Sequence, residues 1–123
     1  VYQNELVTAF LDIEPINEGH VLIVPNKHFK NFTSIEDQYL GEMFKVSKKV
    51  LKSIQASELF CEGANIFLSD GEVAGQEVMH SHLHIAPRFK GDGHKMGFSD
   101  SIRSERPTRK ALDVIAQSII KNM

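Results

Sequence analysis

Three of the chain's six histidines fall within five residues, at His80, His82 and His84. An extended backbone turns alternate side chains to one face, so this spacing predicts a row of imidazoles. Neighbours would lie about 7 Å apart, from a rise of ~3.3–3.4 Å per residue. Rings that close cannot all be protonated, because each charge repels the next. At least one therefore stays neutral near physiological pH and free to act as nucleophile or base, while a charged neighbour stabilises an anion. A second chemistry suits the same pattern. Alternate histidines on a strand can ligate zinc, with His28, His94, Glu77 or Asp92 as a further ligand. The two readings demand opposite protonation states, since a protonated ring cannot bind a metal.

The segment just ahead of the cluster favours the anion. Gly71, Ala74, Gly75 and Gln76 form a glycine-rich turn, and such turns expose backbone N–H groups that suit phosphate. Cys61 is the lone cysteine, which excludes both an intrachain disulfide and a CxxC zinc pair. No aspartate-rich cluster of the kind that holds magnesium is present. The expected chemistry uses no metal and no cofactor.

Elements that could hold the histidines follow from the apolar pattern. Leu6–Ile13 is predicted as a buried strand, followed by turn residues Asn17, Glu18 and Gly19 and a second strand over His20–Pro25. So short a connection implies antiparallel pairing. A helix should follow, opened by a capping box of Thr33 with Glu36 or of Ser34 with Asp37. Its apolar stripe would run through Leu40, Met43, Phe44, Ser47, Val50, Leu51 and Ile54. Gly63–Ser69 and Val78–Pro87 read as two more strands around an Asp70–Gly75 loop, and Lys90–Ser104 reads as loop. Pro107 can open a final helix with Leu112, Ile115, Ala116 and Ile119 on one face. The order predicts an α+β fold, a small antiparallel β-sheet with two helices, in one domain spanning residues 1–123.

Bulk properties narrow the function. With 41% hydrophobic and 24% charged residues the chain is expected to be globular rather than disordered. A formal net charge of −2 gives no excess of positive charge for a long nucleic acid. No apolar run reaches the roughly 18–20 residues that span a bilayer, and no signal peptide is visible. A cytoplasmic protein acting on a small molecule, with no membrane partner, is the expectation.

The stretch Ala74–Arg88, AGQEVMHSHLHIAPR, is similar to the signature of the histidine triad (HIT) family. That signature reads His-φ-His-φ-His-φ-φ, φ being hydrophobic, after a GQ-containing loop; Ser81 departs at one φ position. Ala9–His28, AFLDIEPINEGHVLIVPNKH, resembles the family's first strand pair, so the likeness runs from Val1 to Arg88. It implies a bacterial-type nucleotide hydrolase, near the phosphoramidase and dinucleoside polyphosphate hydrolase branches. His82 would attack the α-phosphate of a purine nucleotide and form a nucleotidyl-histidine that water then cleaves. His84 and the GQ-loop backbone would hold the phosphate oxygens, and His80 would orient the groups or pass a proton. Asp12 would bind the ribose hydroxyls, with Phe10 and Ile13 beside the base, although core packing explains those two equally well.

Ser69, Gln76, Val78 and His28 complete the substrate-binding set that the resemblance implies. Ser69 stands where some members carry asparagine or glutamine, and Glu77 where others carry serine or threonine. Arg88 and Lys95 would either meet further phosphates of a longer substrate or be surface charge. The resemblance also implies a homodimer, and an N-terminal family segment, often with a CxxC pair, outside this sequence. Two other functions fit the same site: a non-catalytic nucleotide-binding protein and a nucleotidyltransferase. The related uridylyltransferases place glutamine at the third triad position, where this chain has His84.

Overall fold

Apolar runs rich in β-branched residues build the sheet, and the computed structural model describes residues 1–95 and 106–123. In chain order the elements are β1 (Tyr2–Gln3), β2 (Val7–Leu11), β3 (Val21–Pro25), α1 (Asp37–Ala56), β4 (Gly63–Phe67), β5 (Leu83–Arg88) and α2 (Arg109–Lys121). The strands form one sheet in the order β1-β2-β3-β5-β4, with every neighbouring pair antiparallel. The predicted α+β class is the one observed.

Period-two alternation divides the sheet into two faces. Val7, Ala9, Val21, Ile23, Leu83 and Ile85 are buried together with Met43, Val46, Val50 and Ile54 of α1. Ile23, Leu83 and Ile85 are fully covered, and each such burial contributes about 1.5–3 kcal/mol. Among the described residues no helix packs on the other face. Register lines up Phe10 with Leu22, Leu22 with His84, and His84 with Phe67, giving one row across four strands on this open face.

Several boundaries differ from the sequence reading. β5 begins at Leu83 rather than Val78, so only His84 of the triad lies on a strand. The pairing of Val21 with Ile85 and Ile23 with Leu83 would bring Pro25 opposite Ser81, and proline has no N–H to continue a ladder. The Ser81 N–H instead donates to the Phe29 carbonyl, at 2.7 Å. β1 was not anticipated, because two residues are too few to show an alternation. α1 starts at Asp37 after a 3-10 turn over Phe32–Ser34, and Glu36 precedes it with no side-chain cap. The Glu36 carboxylate is bonded to Lys27, and the Ser34 hydroxyl donates to the Asn31 carbonyl, so neither expected box forms. Val46 rather than Phe44 faces the core.

At the C-terminal end, Thr108 caps α2 by accepting the Ala111 N–H. The shared face of this helix is open: Leu112, Ile115 and Ile119 are all exposed. Of the expected Lys90–Ser104 loop, Lys90–Lys95 is irregular or turn, and the rest lies outside the described residues. No helix among the described residues is long and apolar enough to cross a membrane.

Candidate active site

His84 is the second residue of β5, on the open face of the sheet. Its ring stacks on Phe67 with centroids 4.3 Å apart and planes 6° from parallel, and meets His82 edge-on at 4.8 Å. Its Nδ1 lies 3.0 Å from Nε2 of His20. His20 is only 2% exposed, and its Nδ1 accepts the backbone N–H of Ile16 at 3.0 Å. That bond settles the proton positions in turn. A nitrogen that accepts carries no hydrogen, so neutral His20 bears its proton on Nε2 and donates it to His84. His84 must then carry its own proton on Nε2.

Burial, first of all, depresses the basicity of both rings. The His84 pKa is pushed down to about 4 by burial, then by His82 and His20, with Asp12 opposing. Burial likewise lowers that of His20 against the pull of Asp12. His84 is therefore a neutral N–H donor near physiological pH, not the charged neighbour that the histidine row implied.

The other two triad members sit on the irregular segment before β5. His82 Nδ1 lies 2.8 Å from the His80 carbonyl. A carbonyl only accepts, so Nδ1 carries the proton and the lone pair of neutral His82 is on Nε2. His80 Nε2 donates to the Pro25 carbonyl at 3.1 Å, and its Nδ1 lies 2.9 Å from Nδ1 of His28. Two facing ring nitrogens at that distance share a single proton. His28 is exposed, so this pair borders solvent.

Phe10, Leu22, Val24, Val78, His80 and His82 line a cleft of about 340 Å³. Phe10 is 41% exposed, so it forms a wall of the cleft and not part of the core. Ile13 is 95% exposed in the turn beyond β2 and does not line the cleft. Asp12 accepts the Glu14 N–H at 2.9 Å through one carboxylate oxygen, and its other oxygen lies 3.7 Å from His20 Nε2. Asp12 thus caps its own turn and faces the buried histidine at once.

The glycine-rich loop is held differently from the sequence reading. Gln76 is 3% exposed, and its side chain accepts the Gly71 N–H and donates to the carbonyls of Lys30 and Val78. The Gly75 and Gln76 N–H groups are spent inside the loop, on Glu72 and Gly71. Gln76 is therefore a brace for the loop. Among the described residues, the N–H groups of Glu77, Val78 and Met79 enter no hydrogen bond. Ser69 lies beneath this loop, its hydroxyl 3.8 Å from where a side chain at Gly75 would begin. Gly75 has φ +97°, a conformation that favours glycine.

Arg88 spends four of its five N–H groups on Asp92, Asn65 and the His94 carbonyl, which leaves it no free donor fork for a further phosphate. Asp92, held by Arg88, and His94, bonded through its N–H to Asp92, do not gather around the triad. The one cluster of potential metal ligands among the described residues is Asp12, His20 and His84, with donor atoms within 4.8 Å of one another. Two of those donors are bonded to each other through a proton, so a cation could enter only by breaking that bond.

The sequence reading singled out neither Leu22 and Val24, which line the cleft, nor His20. His20 shares the parity of Leu22 and Val24, which was the available signal, but its partner is 64 residues away on a strand that is not its sequence neighbour.

Comparison with known proteins identifies the family. The HIT domain description matches residues 1–91. An uncharacterised HIT-like protein of Methanocaldococcus jannaschii is 45% identical over 100 residues, 81% of this chain and 76% of its own length. A HIT family member from Bacillus subtilis superposes with a TM-score of 0.88 at 35% identity, covering 100% of this chain and 86% of that one. A histidine triad nucleotide-binding protein from Candida albicans gives 0.84 at 28% identity, covering 99% and 85%. The chain belongs to the HIT family.

Proposed function

We propose that this protein is a hydrolase that releases a purine nucleoside monophosphate from a leaving group at its α-phosphate, through a nucleotidyl-His82 intermediate. The observation that carries the reading is the orientation of His82, whose Nδ1–H is fixed on the His80 carbonyl so that the Nε2 lone pair is left for the cleft. The Nε2 lone pair forms a bond to phosphorus as the bond to the leaving group breaks. The positive charge arising on the ring is eased by the hydrogen bond from Nδ1 to the carbonyl. The Nε2–H of His84 donates to a non-bridging oxygen, supported by the uncommitted amides after Gln76. The leaving group departs with the bonding electrons and takes a proton at the His80–His28 end. Water then attacks phosphorus, frees the monophosphate and restores His82.

Apolar Phe10, Leu22 and Val24 suit a purine ring, with Val78 closing the cleft, and Asp12, two residues beyond Phe10, would take the ribose hydroxyls. Both an amine and a nucleotide remain suitable leaving groups. A small nucleotide, rather than a long nucleic acid, matches the net charge of −2. The open apolar face of α2 supports a homodimer that covers it.

Quenching turnover of an adenosine phosphoramidate labelled at the α-phosphate should trap the label on His82 in an acid-labile, base-stable bond. Label on a serine would overturn the mechanism. AMP binding with no turnover of phosphoramidates or diadenosine polyphosphates would leave a binding protein instead.

A further inference from the structure

Outside the cleft, one buried polar cluster has no part in the chemistry above. Asp92 has a side chain only 4% exposed and gathers five donors. They are Arg88 Nε at 2.7 Å and Nη2 at 3.0 Å, Asn17 Nδ2 at 2.8 Å, and the N–H groups of Phe89 at 3.3 Å and His94 at 3.1 Å. These bonds, Arg88 first, hold the Asp92 carboxyl well below the usual carboxylate range. Arg88 is the last residue of β5 and also donates to Asn65 of β4, so the cluster is rooted in the sheet.

From that root the cluster reaches across to the β2–β3 turn. The Asn17 amide donates both to Asp92 and to the Pro87 carbonyl, at 2.9 Å. The Asn17 carbonyl in turn accepts the His20 N–H at 3.1 Å, and the adjacent residue, Ile16, supplies the N–H on His20 Nδ1. The turn also needs Gly19, which has φ +91° and where a side chain would strike Leu59.

We propose that Asn17, clamped between the Pro87 carbonyl and Asp92, is a positioning residue. It holds the Ile16 N–H on His20 and thereby fixes which nitrogen of His84 carries the proton. Ring tautomers are set by the hydrogen bond made at the other nitrogen. A turn released from β5 lets the Ile16 N–H swing away and leaves His20 Nδ1 free to take a proton. His20 then has no fixed donor side, and the Nε2–H of His84 that faces the phosphate is no longer assured. The groups facing His20 are Asp12 from the end of β2 and His84 from β5, with His82 behind His84. None of them replaces Ile16 at Nδ1.

This inference rests on the hydrolase reading only for its effect on turnover. It is tested in the full-length chain by nitrogen-15 NMR of the imidazoles, without substrate, in the wild type and in Asn17→Ala. In the wild type both His20 and His84 should carry hydrogen on Nε2 and none on Nδ1. In Asn17→Ala the His20 Nδ1 signal should move toward the protonated position and His84 should follow. Turnover of an adenosine phosphoramidate should fall roughly tenfold to a hundredfold, the scale of a small misplacement of reacting groups, with KM nearly unchanged. Should Asn17→Ala fail to fold, Asp92→Asn keeps the shape, weakens the clamp and reads the same signals. Wild-type His84 with hydrogen on Nδ1 would overturn the proposal. So would wild-type imidazole signals in a folded clamp variant, whatever its melting temperature. A wild type that turns over no nucleotide counts against the hydrolase reading alone, because the NMR arm needs no substrate.

Discussion

The two ends of the histidine cluster are built on opposite plans. At one end His84 and His20 are sunk between Phe67 and the β2–β3 turn, and every proton on them has an assigned place. At the other, His80 and His28 face one another across one shared proton at the protein surface. The first end is a fixed dipole that cannot easily gain charge, and the second is a hydrogen-bonded pair that borders solvent. His82 lies between them. The proposed phosphoryl transfer would use both ends, a preorganised donor for the growing charge on phosphorus and a proton source for the leaving group. In that reaction, separating them would keep proton transfer away from the donor.

The comparison can be broken most severely at the closed end. His84→Ala should lower kcat by about 10²–10³, the usual cost of removing one preorganised donor, while His84→Gln, which keeps an N–H, should recover part of it. His28→Ala should cost roughly tenfold, because water can reach His80 in its place. Steady-state kinetics of the three variants would test the asymmetry, and equal losses at the two ends would dissolve it.

Acid probes the closed end directly. The His84 pKa in the fold, about 4, is below the 6.5 of the unfolded chain, so between those values the unfolded state binds more protons. Stability from this group is complete above pH 6.5 and is lost as pH falls toward 4. The melting temperature should fall through that window, and the fall should be smaller in His84→Gln. An unchanged slope would place the acid sensitivity elsewhere.

The smallest effect lies between the ends. Ser81 is 1% exposed and its hydroxyl has no hydrogen-bond partner. Ser81→Ala removes this unsatisfied group and should stabilise the protein by about 1 kcal/mol in a denaturant titration, with turnover nearly unchanged.

Much of this was legible in the sequence, for identifiable reasons. Long apolar runs announced β2, β3 and β4, and α1 repeated its stripe over 20 residues, so local patterning alone sufficed. The triad motif implied three rings on one strand face, and the structure places only one of them on a strand. Only His84 follows strand alternation; His80 and His82 are placed by bonds to Pro25 and to the backbone. The GQ turn suggested a ligand for Gln76, because a buried, fully bonded amide and a ligand-binding amide look alike in sequence. His20 and the Asn17–Asp92 clamp stayed hidden because their partners are 64 and 75 residues away, and pairing at that range depends on strand order.

The division of the sheet into a helix-covered face and an open face bears on how such a protein can diversify. Along β2 and β3 the odd-numbered residues Val7, Ala9, Val21 and Ile23 are buried, while Phe10, Leu22 and Val24 line the cleft. Neighbouring codons therefore answer to separate selective demands. Substitutions at the cleft positions can reshape the pocket without opening a hole in the core. A library randomised at residues 10, 22, 24 and 78 should keep most of its members folded, and gives evolution, or an engineer, four dials that turn independently of stability.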